Sequence, residues 1–420
     1  METKQPTPKK QHSTSFKDVL YDEVLLTEEE MKIVDTEEFQ SLRKVKQLGA
    51  CCQVFVSANH SRFEHCLGTC HLAGKQMDIL HEGQKELGIT PRQTQLVRTA
   101  ALVHDLGHLL GSHMFDHCIA PALGLSKDMQ HHESRGGLLF RSMSRKYALG
   151  YTEKELDLIC SLISGTPLPG HPAWMFDILA NKRNELDVDK LDYINRDSLT
   201  LGLTSNRLQV TRIMKRARVI DNRICYPAKA APAIMEVFQT RYNLHLDVYN
   251  HRVVHSVECM VRDILLVMSD VMDWRALFAS ESHEWRKLND NVLDFLPWLI
   301  QYLSNEPDKQ ARLKQVLPIY DRLQRRQFYP LVQELLNTDK SKSCEQLAQE
   351  LRVDAHDIIT RCVGLSSSIE DPFQHIYCYM KGGTGKAIPM SDLARVKLAP
   401  KWPFTQLTHV YNRRPLTCTS

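Results

Sequence analysis

His104 and Asp105 stand side by side at the end of an apolar run, Thr99-Ala-Ala-Leu-Val103, and Leu106-Gly107-His108 follows. An imidazole and a carboxylate closing a buried segment put a nitrogen ligand and an oxygen ligand next to each other. An unpaired charge there costs several kcal/mol, and a bound cation removes that cost while fixing both groups. Two further segments offer the missing ligands. In Arg62-Phe-Glu-His65 the arginine and the histidine lie three apart on one helix face, so one could hold a metal and the other a phosphate. Alone, such a histidine reads as a hydrogen-bonded core residue. In the segment Asp187 to Asp197, Asp189, Tyr193 and Asp197 fall at i, i+4 and i+8, along one helical stripe. Carboxylates stacked in this way repel. A metal beside Asp189 and a lysine or arginine beside Asp197 would relieve the repulsion. A solvated acidic face fits poorly, because Leu191 and Ile194 flank these residues.

His65, His104, Asp105 and Asp189 make a mixed nitrogen and oxygen set that suits zinc, iron or manganese better than calcium. Such an ion activates water and polarises a phosphoryl oxygen, which points to hydrolysis of a phosphate ester. The leaving oxygen needs a proton. His113 and His132 are candidate donors, with Glu133 placed to orient His132, and the adjacent His131 competes for the inward position.

The elements that must carry these residues read as helices almost throughout. Phe39, Leu42 and Val45 predict one amphipathic helix over Glu37 to Gln47, and Phe63 to Leu80 a second over Ser61 to Leu80. A third runs from Gln93 to His104, just after Pro91. Thr152 with Glu155 is a capping signal for a helix over Tyr151 to Ile163. Asp187 to Leu201 and Pro232 to Met268 read as further helices, and on the second Arg241, His245 and Tyr249 repeat the i, i+4, i+8 pattern. Val219 to Tyr226 reads as a hairpin around Asp221-Asn222, and Ile376 to Met380 as a strand. Residues 165–172 and 382–386 are turn-rich loops. The expected fold class is mainly α: a polar N-terminal tail over residues 1–30, a helical catalytic core over 31–269, and a smaller α+β C-terminal lobe over 270–420.

Bulk properties narrow the classes without deciding among them. The 420 residues carry 53 Lys+Arg against 50 Asp+Glu, so no net charge demands a nucleic-acid partner. Twelve cysteines without a CxxC pair point to reduced thiols, hence to cytoplasm or nucleus; Lys9-Lys10 is a weak nuclear address. No run reaches the ~20 apolar residues of a membrane span.

The wording around the ligand residues carries a resemblance. His65, His104-Asp105 and Asp189 match the H…HD…D signature of the HD-domain phosphohydrolases. Ser61-Arg-Phe-Glu-His-Cys-Leu-Gly68, His104-Asp-Leu-Gly-His108, Ser112-His-Met-Phe-Asp116, Asn181-Lys-Arg-Asn184 and Asp187-Val-Asp-Lys190 look like the vertebrate sterile-alpha-motif and HD-domain deoxynucleoside triphosphate triphosphohydrolases. The likeness runs from about Ile33 to His255 and is more diffuse over Tyr320 to Lys381, and the sterile-alpha-motif domain is expected to be lacking. The resemblance implies an HD-type fold and metal-dependent cleavage of a dNTP to deoxynucleoside and triphosphate, with magnesium accompanying the nucleotide. It implies a catalytic pocket lined by His108, His113, His132 and Glu133. Arg62, Lys190 and Arg241 match residues on the triphosphate, with Gln47, Leu48, Tyr193, Asp197, His245 and Tyr249 around the base and sugar. A tight fit at Tyr193 and Tyr249 would reject a ribose 2′-hydroxyl.

Family members are activated by GTP and dNTPs at subunit interfaces, assembling from dimer to tetramer, and act in dNTP catabolism and antiviral defence. Asp35, Gln40 and Arg43, with Arg326 and Phe328, match the guanine-specific pocket, where an aspartate and an arginine can read guanine. Arg212 and Lys229 match the second pocket. This chain departs at Thr14, where the family has a lysine, and at Pro227, where it has an arginine. Two other readings stand beside the leading one: another HD-type nucleotide phosphohydrolase, and a weakly active binder of nucleotides or single-stranded nucleic acid, which the basic clusters Arg212 to Arg218 and Arg322 to Arg326 would serve.

Overall fold

The computed structural model describes residues 14–203, 208–336, 342–364, 371–380, 386–393, 396 and 406–414. The polar tail through residue 13 and most of the glycine-rich loop 382–386 lie outside them. Strands β1 (Thr14–Asp18) and β2 (Asp22–Leu26) form an antiparallel hairpin at the start. The longer helices that follow are α1 (Arg62–Gly83), α2 (Pro91–Val103), α3 (His132–Lys146), α4 (Glu153–Ser164) and α5 (Val188–Thr200). Beyond the β3 (Arg218–Ile220) and β4 (Arg223–Pro227) hairpin come α6 (Ala231–Leu244) and α7 (Arg252–Val271). The molecule is mainly α, and its small sheets gather toward the C-terminal part.

Local signals set several boundaries. Glu64 reaches back to accept from the Ser61 amide at 2.9 Å, which fixes the start of α1. Pro91 occupies the first turn of α2 while Thr90 accepts from the Gln93 amide, so this helix starts two residues before the sequence reading. Thr152 and Glu155 form the expected capping box on α4. Asp221 and Asn222 both have positive φ, 50° and 55°, the backbone of a tight two-residue hairpin turn.

Two expected helices are broken, each for a tertiary reason. The one over Glu37 to Gln47 ends at Ser41 and passes through a 3₁₀ turn, Leu42–Lys44. The chain then extends, because the Val45 carbonyl accepts from the Arg62 amide and Lys46 bridges to Ser61. The one over Pro232 to Met268 is two helices separated by a π-turn, His245–Tyr249, and a break at Asn250 and His251. The His245 carbonyl accepts from both the Asn250 backbone amide at 3.2 Å and its side-chain amide at 2.8 Å. Such π-turns recur at functional sites.

Downstream, β5 (Leu331–Leu336), β9 (Gln406–Asn412) and β6 (Ile358–Gly364) form a three-stranded antiparallel sheet in that order. Strands β7 (Tyr377–Tyr379) and β8 (Ala387–Pro389) extend the β3–β4 hairpin, β7 pairing parallel to β4, so chain from far downstream is stitched onto the strands that follow α5. Asp270 lies in the last turn of α7. One apolar cluster runs from Val24 to Tyr411 and packs α1 against α2 and α5. Among the described residues, no helix is long and apolar enough to cross a membrane.

Candidate active site

The α2 helix ends at Val103, so His104 and Asp105 project from a helix terminus, and Gly107 turns the chain. A β-carbon on Gly107 would sit 2.0 Å from the His132 carbonyl and 2.4 Å from the Gly136 amide. Only glycine lets this turn press against the start of α3, which brings His132 beside His108. Their rings stack with centroids 3.8 Å apart.

His65 from α1 and Asp189 from α5 meet His104 there. His65 Nε2 lies 3.2 Å from His104 Nε2 and 3.0 Å from Asp189 Oδ1, and His104 Nε2 lies 3.4 Å from that oxygen. Asp105 flanks them, 3.6 Å from His65 and 3.5 Å from His104. The tautomers follow from the partners. His65 Nδ1–H donates to Asp192 at 2.8 Å, and His104 Nδ1–H donates to the Ala101 carbonyl at 2.9 Å. Each ring therefore turns a bare Nε2 lone pair toward the same carboxylate oxygen. Lone pairs do not converge at these distances without a positive charge between them, so the residues present fit a divalent cation. The local field agrees: burial pushes Asp105 up, but Arg62, His104 and His108 outweigh it and hold the carboxyl well below its usual range. Arg62 Nη1 donates to Asp105 Oδ2 at 2.6 Å.

Asp192 escaped the sequence reading, which gave it no role. It is fully buried and accepts from His65, from Arg196 Nε and Nη2 (both 2.9 Å) and from the Tyr21 hydroxyl (2.7 Å). The Arg196 guanidinium, with the His65 contact, holds it at about 2 against the cost of burial. Partners of this kind orient metal ligands. The clue was its place three residues from Asp189 and four from Arg196.

His104, Asp105 and Asp189 open onto a cavity of about 1090 Å³. Gln47, Leu48, Arg62, Lys190, Tyr193, Asp197, Arg241, His245 and Tyr249 line it, as do His108, His113, His132 and Glu133. The two helical stripes thus face one space. Lys190 Nζ donates to Asp187 Oδ2 at 2.9 Å, and Arg241 pairs with Glu185. Burial, with Arg241 nearby, pulls the His245 imidazole down to about 4. The expected lysine or arginine beside Asp197 is not there. His60 Nε2 lies 2.7 Å from one of its oxygens, and the Tyr249 hydroxyl donates to the other at 2.6 Å. Arg196 instead faces away, toward Asp192 and Asp18.

A second correction concerns His132. The sequence reading gave its orientation to Glu133, but Glu133 lies 3.7 Å from Nε2 on a half-exposed side chain. Asp116 holds the ring instead, 2.6 Å from Nδ1, and its other oxygen pairs with the buried Arg135. Of the adjacent histidines, His132 lines the cavity and His131 is exposed. Donor atoms of His108, His113, Asp116 and His132 lie within 4.8 Å of one another. The Asp116 carboxylate is already committed to a histidine and an arginine, which suits proton handling better than metal binding.

The far wall of the cavity was invisible in the sequence. It comes from His255 and Glu258 of α7 and from Arg361, Cys362 and Gly364 of β6, with Arg361 Nη2 3.3 Å from Glu258. Burial lifts Glu258 to about 6 despite that arginine.

An HD domain model matches residues 62–197, the stretch that holds all four ligand residues. The deoxynucleoside triphosphate triphosphohydrolase SAMHD1 homologue of Dictyostelium discoideum is 35% identical over 86% of this chain and 69% of its own length. Human SAMHD1 is 31% identical over 91% and 68%, and the Bos taurus protein 30% over 91% and 72%. The chain belongs to the SAMHD1 deoxynucleoside triphosphate triphosphohydrolase family, and HD-domain enzymes of this kind are hydrolases. In this SAMHD1-family chain the residues matched to regulation stand apart from the cavity. Asp35, Arg43, Arg212, Lys229 and Arg326 are exposed. Arg43 Nε donates to Gln40 at 2.9 Å and its guanidinium caps the Phe63 ring at 3.5 Å. Arg326 donates to the Gln53 carbonyl at 2.9 Å and lies over Phe328. Arg212 bonds Gln209. Thr14 and Lys17 are exposed on β1, and Pro227 ends β4 opposite Tyr379.

Proposed function

We propose that this chain is a metal-dependent dNTP triphosphohydrolase that releases deoxynucleoside and intact triphosphate. The observation that carries this reading is the meeting of two Nε2 lone pairs and two carboxylates at the wall of a cavity that also presents Arg62, Lys190 and Arg241. His65, His104, Asp105 and Asp189 would hold zinc, iron or manganese. When bound, such an ion supplies Lewis acidity toward a phosphoryl oxygen and toward water.

The chain's own residues supply the rest. Arg62, Lys190 and Arg241 place three cations along the triphosphate, which enters with magnesium. His132 carries the proton for the leaving 5′ oxygen on Nε2 while Asp116, ionised, steadies its Nδ1–H. His108 stacks on that ring and the exposed His113 meets it edge-on, so both restrict its rotation. Tyr193 and Tyr249 flank the sugar with Gln47 and Leu48, and a tight fit at the hydrogen-bonded Tyr249–Asp197 pair would reject a 2′-hydroxyl. Asp35, Gln40, Arg43 and Arg326 would take GTP, and Arg212 and Lys229 a second nucleotide, favouring dimer and tetramer. Their exposure outside the cavity supports an interface role.

Incubating the purified protein with each dNTP, with and without GTP, tests the assignment. Release of triphosphate and deoxynucleoside, stimulated by GTP, is expected. Nucleotide binding without turnover, or release of pyrophosphate, overturns it. Asp105→Ala is expected to lose metal and activity together, and turnover by a metal-free Asp105→Ala protein refutes the ligand assignment.

A further inference from the structure

The loop that sends Asn181 and Glu185 into the active-site cavity has a second depression on its other side, of about 400 Å³. Its walls are Asp177, Lys182 to Asn184, Arg223 and Ile224 of β4, Tyr377 of β7 and His375 just before it. Three cations face one carboxylate there. Arg183 Nε lies 3.3 Å from Asp177, and its Nη1 donates to the Asn222 carbonyl. The other two cations have no such partner among the described residues. Lys182 is exposed, without a carboxylate in ion-pair reach. The Arg223 guanidinium lies over the Tyr377 ring at 4.3 Å, and its Nε is buried with no hydrogen-bond partner.

A buried guanidinium nitrogen without an acceptor has lost its hydrogen bonds to water and gained none in return. Packing on an aromatic face holds the planar fork in one orientation, which removes part of the entropy that a ligand would otherwise have to offset. A fork of N–H groups with a lysine and a second arginine close by matches the oxygens of a phosphate group. The volume exceeds what one phosphate needs and lies in the range of small-ligand sites.

We propose that this depression is a second anion site that takes a phosphate-class ligand, with Arg223 as its principal contact and Lys182 and Arg183 at its rim. Arg223, Ile224 and Tyr377 border the depression and not the catalytic cavity, whereas Lys182 borders both. The depression shares with the cavity the loop that carries Glu185, the partner of Arg241. An anion held at Lys182 and Arg183 therefore steadies the loop that positions a triphosphate contact.

Hydrogen–deuterium exchange on the full chain tests this, because the peptide spanning residues 222–226 borders only the new site. With inorganic triphosphate at about ten times its dissociation constant, exchange in that peptide is expected to slow about tenfold. Deoxyadenosine, which lacks phosphate, is expected to have no effect, and deoxyadenosine monophosphate run in parallel separates a nucleotide's phosphate from free polyphosphate as the preferred source. Arg223→Gln is expected to abolish the protection while leaving that around Arg241 intact. Arg223→Lys, which keeps the charge and loses the fork, is expected to give an intermediate effect. Absence of protection at 222–226 in the wild type, or equal protection in Arg223→Gln or Arg223→Lys, overturns the proposal.

Discussion

Asp192→Asn isolates the contribution of a residue that touches no substrate. The native carboxylate accepts four hydrogen bonds, from His65 Nδ1, two nitrogens of Arg196 and the Tyr21 hydroxyl. An amide keeps one acceptor oxygen and turns an NH2 group toward donors. It also leaves the buried Arg196 with Asp18, 2.8 Å away, as its remaining carboxylate. Breaking one side of a buried pair costs about 3–5 kcal/mol, against the 5–15 kcal/mol that typically holds a domain. The variant should therefore fold with a clearly lower urea midpoint. Loss of the anchor on His65 should weaken metal binding by about 10–100-fold. Elemental analysis after competition with a graded chelator series reads the second effect, and urea melts read the first. Tyr21→Phe, which removes one of the four donors, serves as a milder control of about 1 kcal/mol. A folded Asp192→Asn protein that holds its metal within about twofold of wild type would show that Asp192 does not orient the ligand, since the expected effect is at least tenfold.

Three further outcomes follow from the same geometry. Gly68→Ala drives a β-carbon to 2.0 Å from Asp192 Oδ1 and 2.3 Å from Arg196, so urea melts should show a loss of at least ~1–3 kcal/mol, with lower metal content. Asp116→Asn removes the negative charge beside His132 Nδ1, and steady-state kinetics should show kcat reduced about 10²–10⁴-fold with KM little changed; an unaltered kcat refutes the role of Asp116 in holding His132 for proton transfer. Glu155, bonded by Arg92 and the Thr152 amide, is held at about 2, below the 4.5 of a free glutamate. A depressed carboxyl stabilises the fold above the unfolded value and loses that contribution as pH falls from about 4.5 toward 2. Because Arg92 is 42% exposed, screening reduces the effect. Glu155→Gln should cost about 1 kcal/mol at pH 7, with the difference from wild type shrinking below pH 4.5 in parallel denaturation curves.

What the chain disclosed in advance was what short-range rules govern. Capping at Thr152, the proline at the start of α2 and the Asp221-Asn222 turn are local, and periodicity located the helices that bear His65, Asp189 and Arg241. Asp189, Tyr193 and Asp197 share one face because α-helical spacing fixes direction, whereas Arg241, His245 and Tyr249 reach the same cavity although the α-helix gives way to a π-turn at His245. Partners were another matter. Asp116 is sixteen residues from His132 and His60 is 137 from Asp197, separations at which no spacing rule operates. Glu133 looked apt for His132 only because it was adjacent, and neighbours along a helix point apart. The helices that ended early did so where another group took up their carbonyls: the Arg62 backbone amide at Val45 and the Asn250 side chain at His245.

The Arg361 wall has a consequence for when this protein becomes whole. The ligand residues all lie before Asn195, yet the chamber they face is closed by β6, and β6 pairs along its length with β9 near the C-terminus. During synthesis the HD helices emerge early with one side of their polar chamber bare. The β6 wall gains its partner only after Gln406 to Asn412 have left the ribosome.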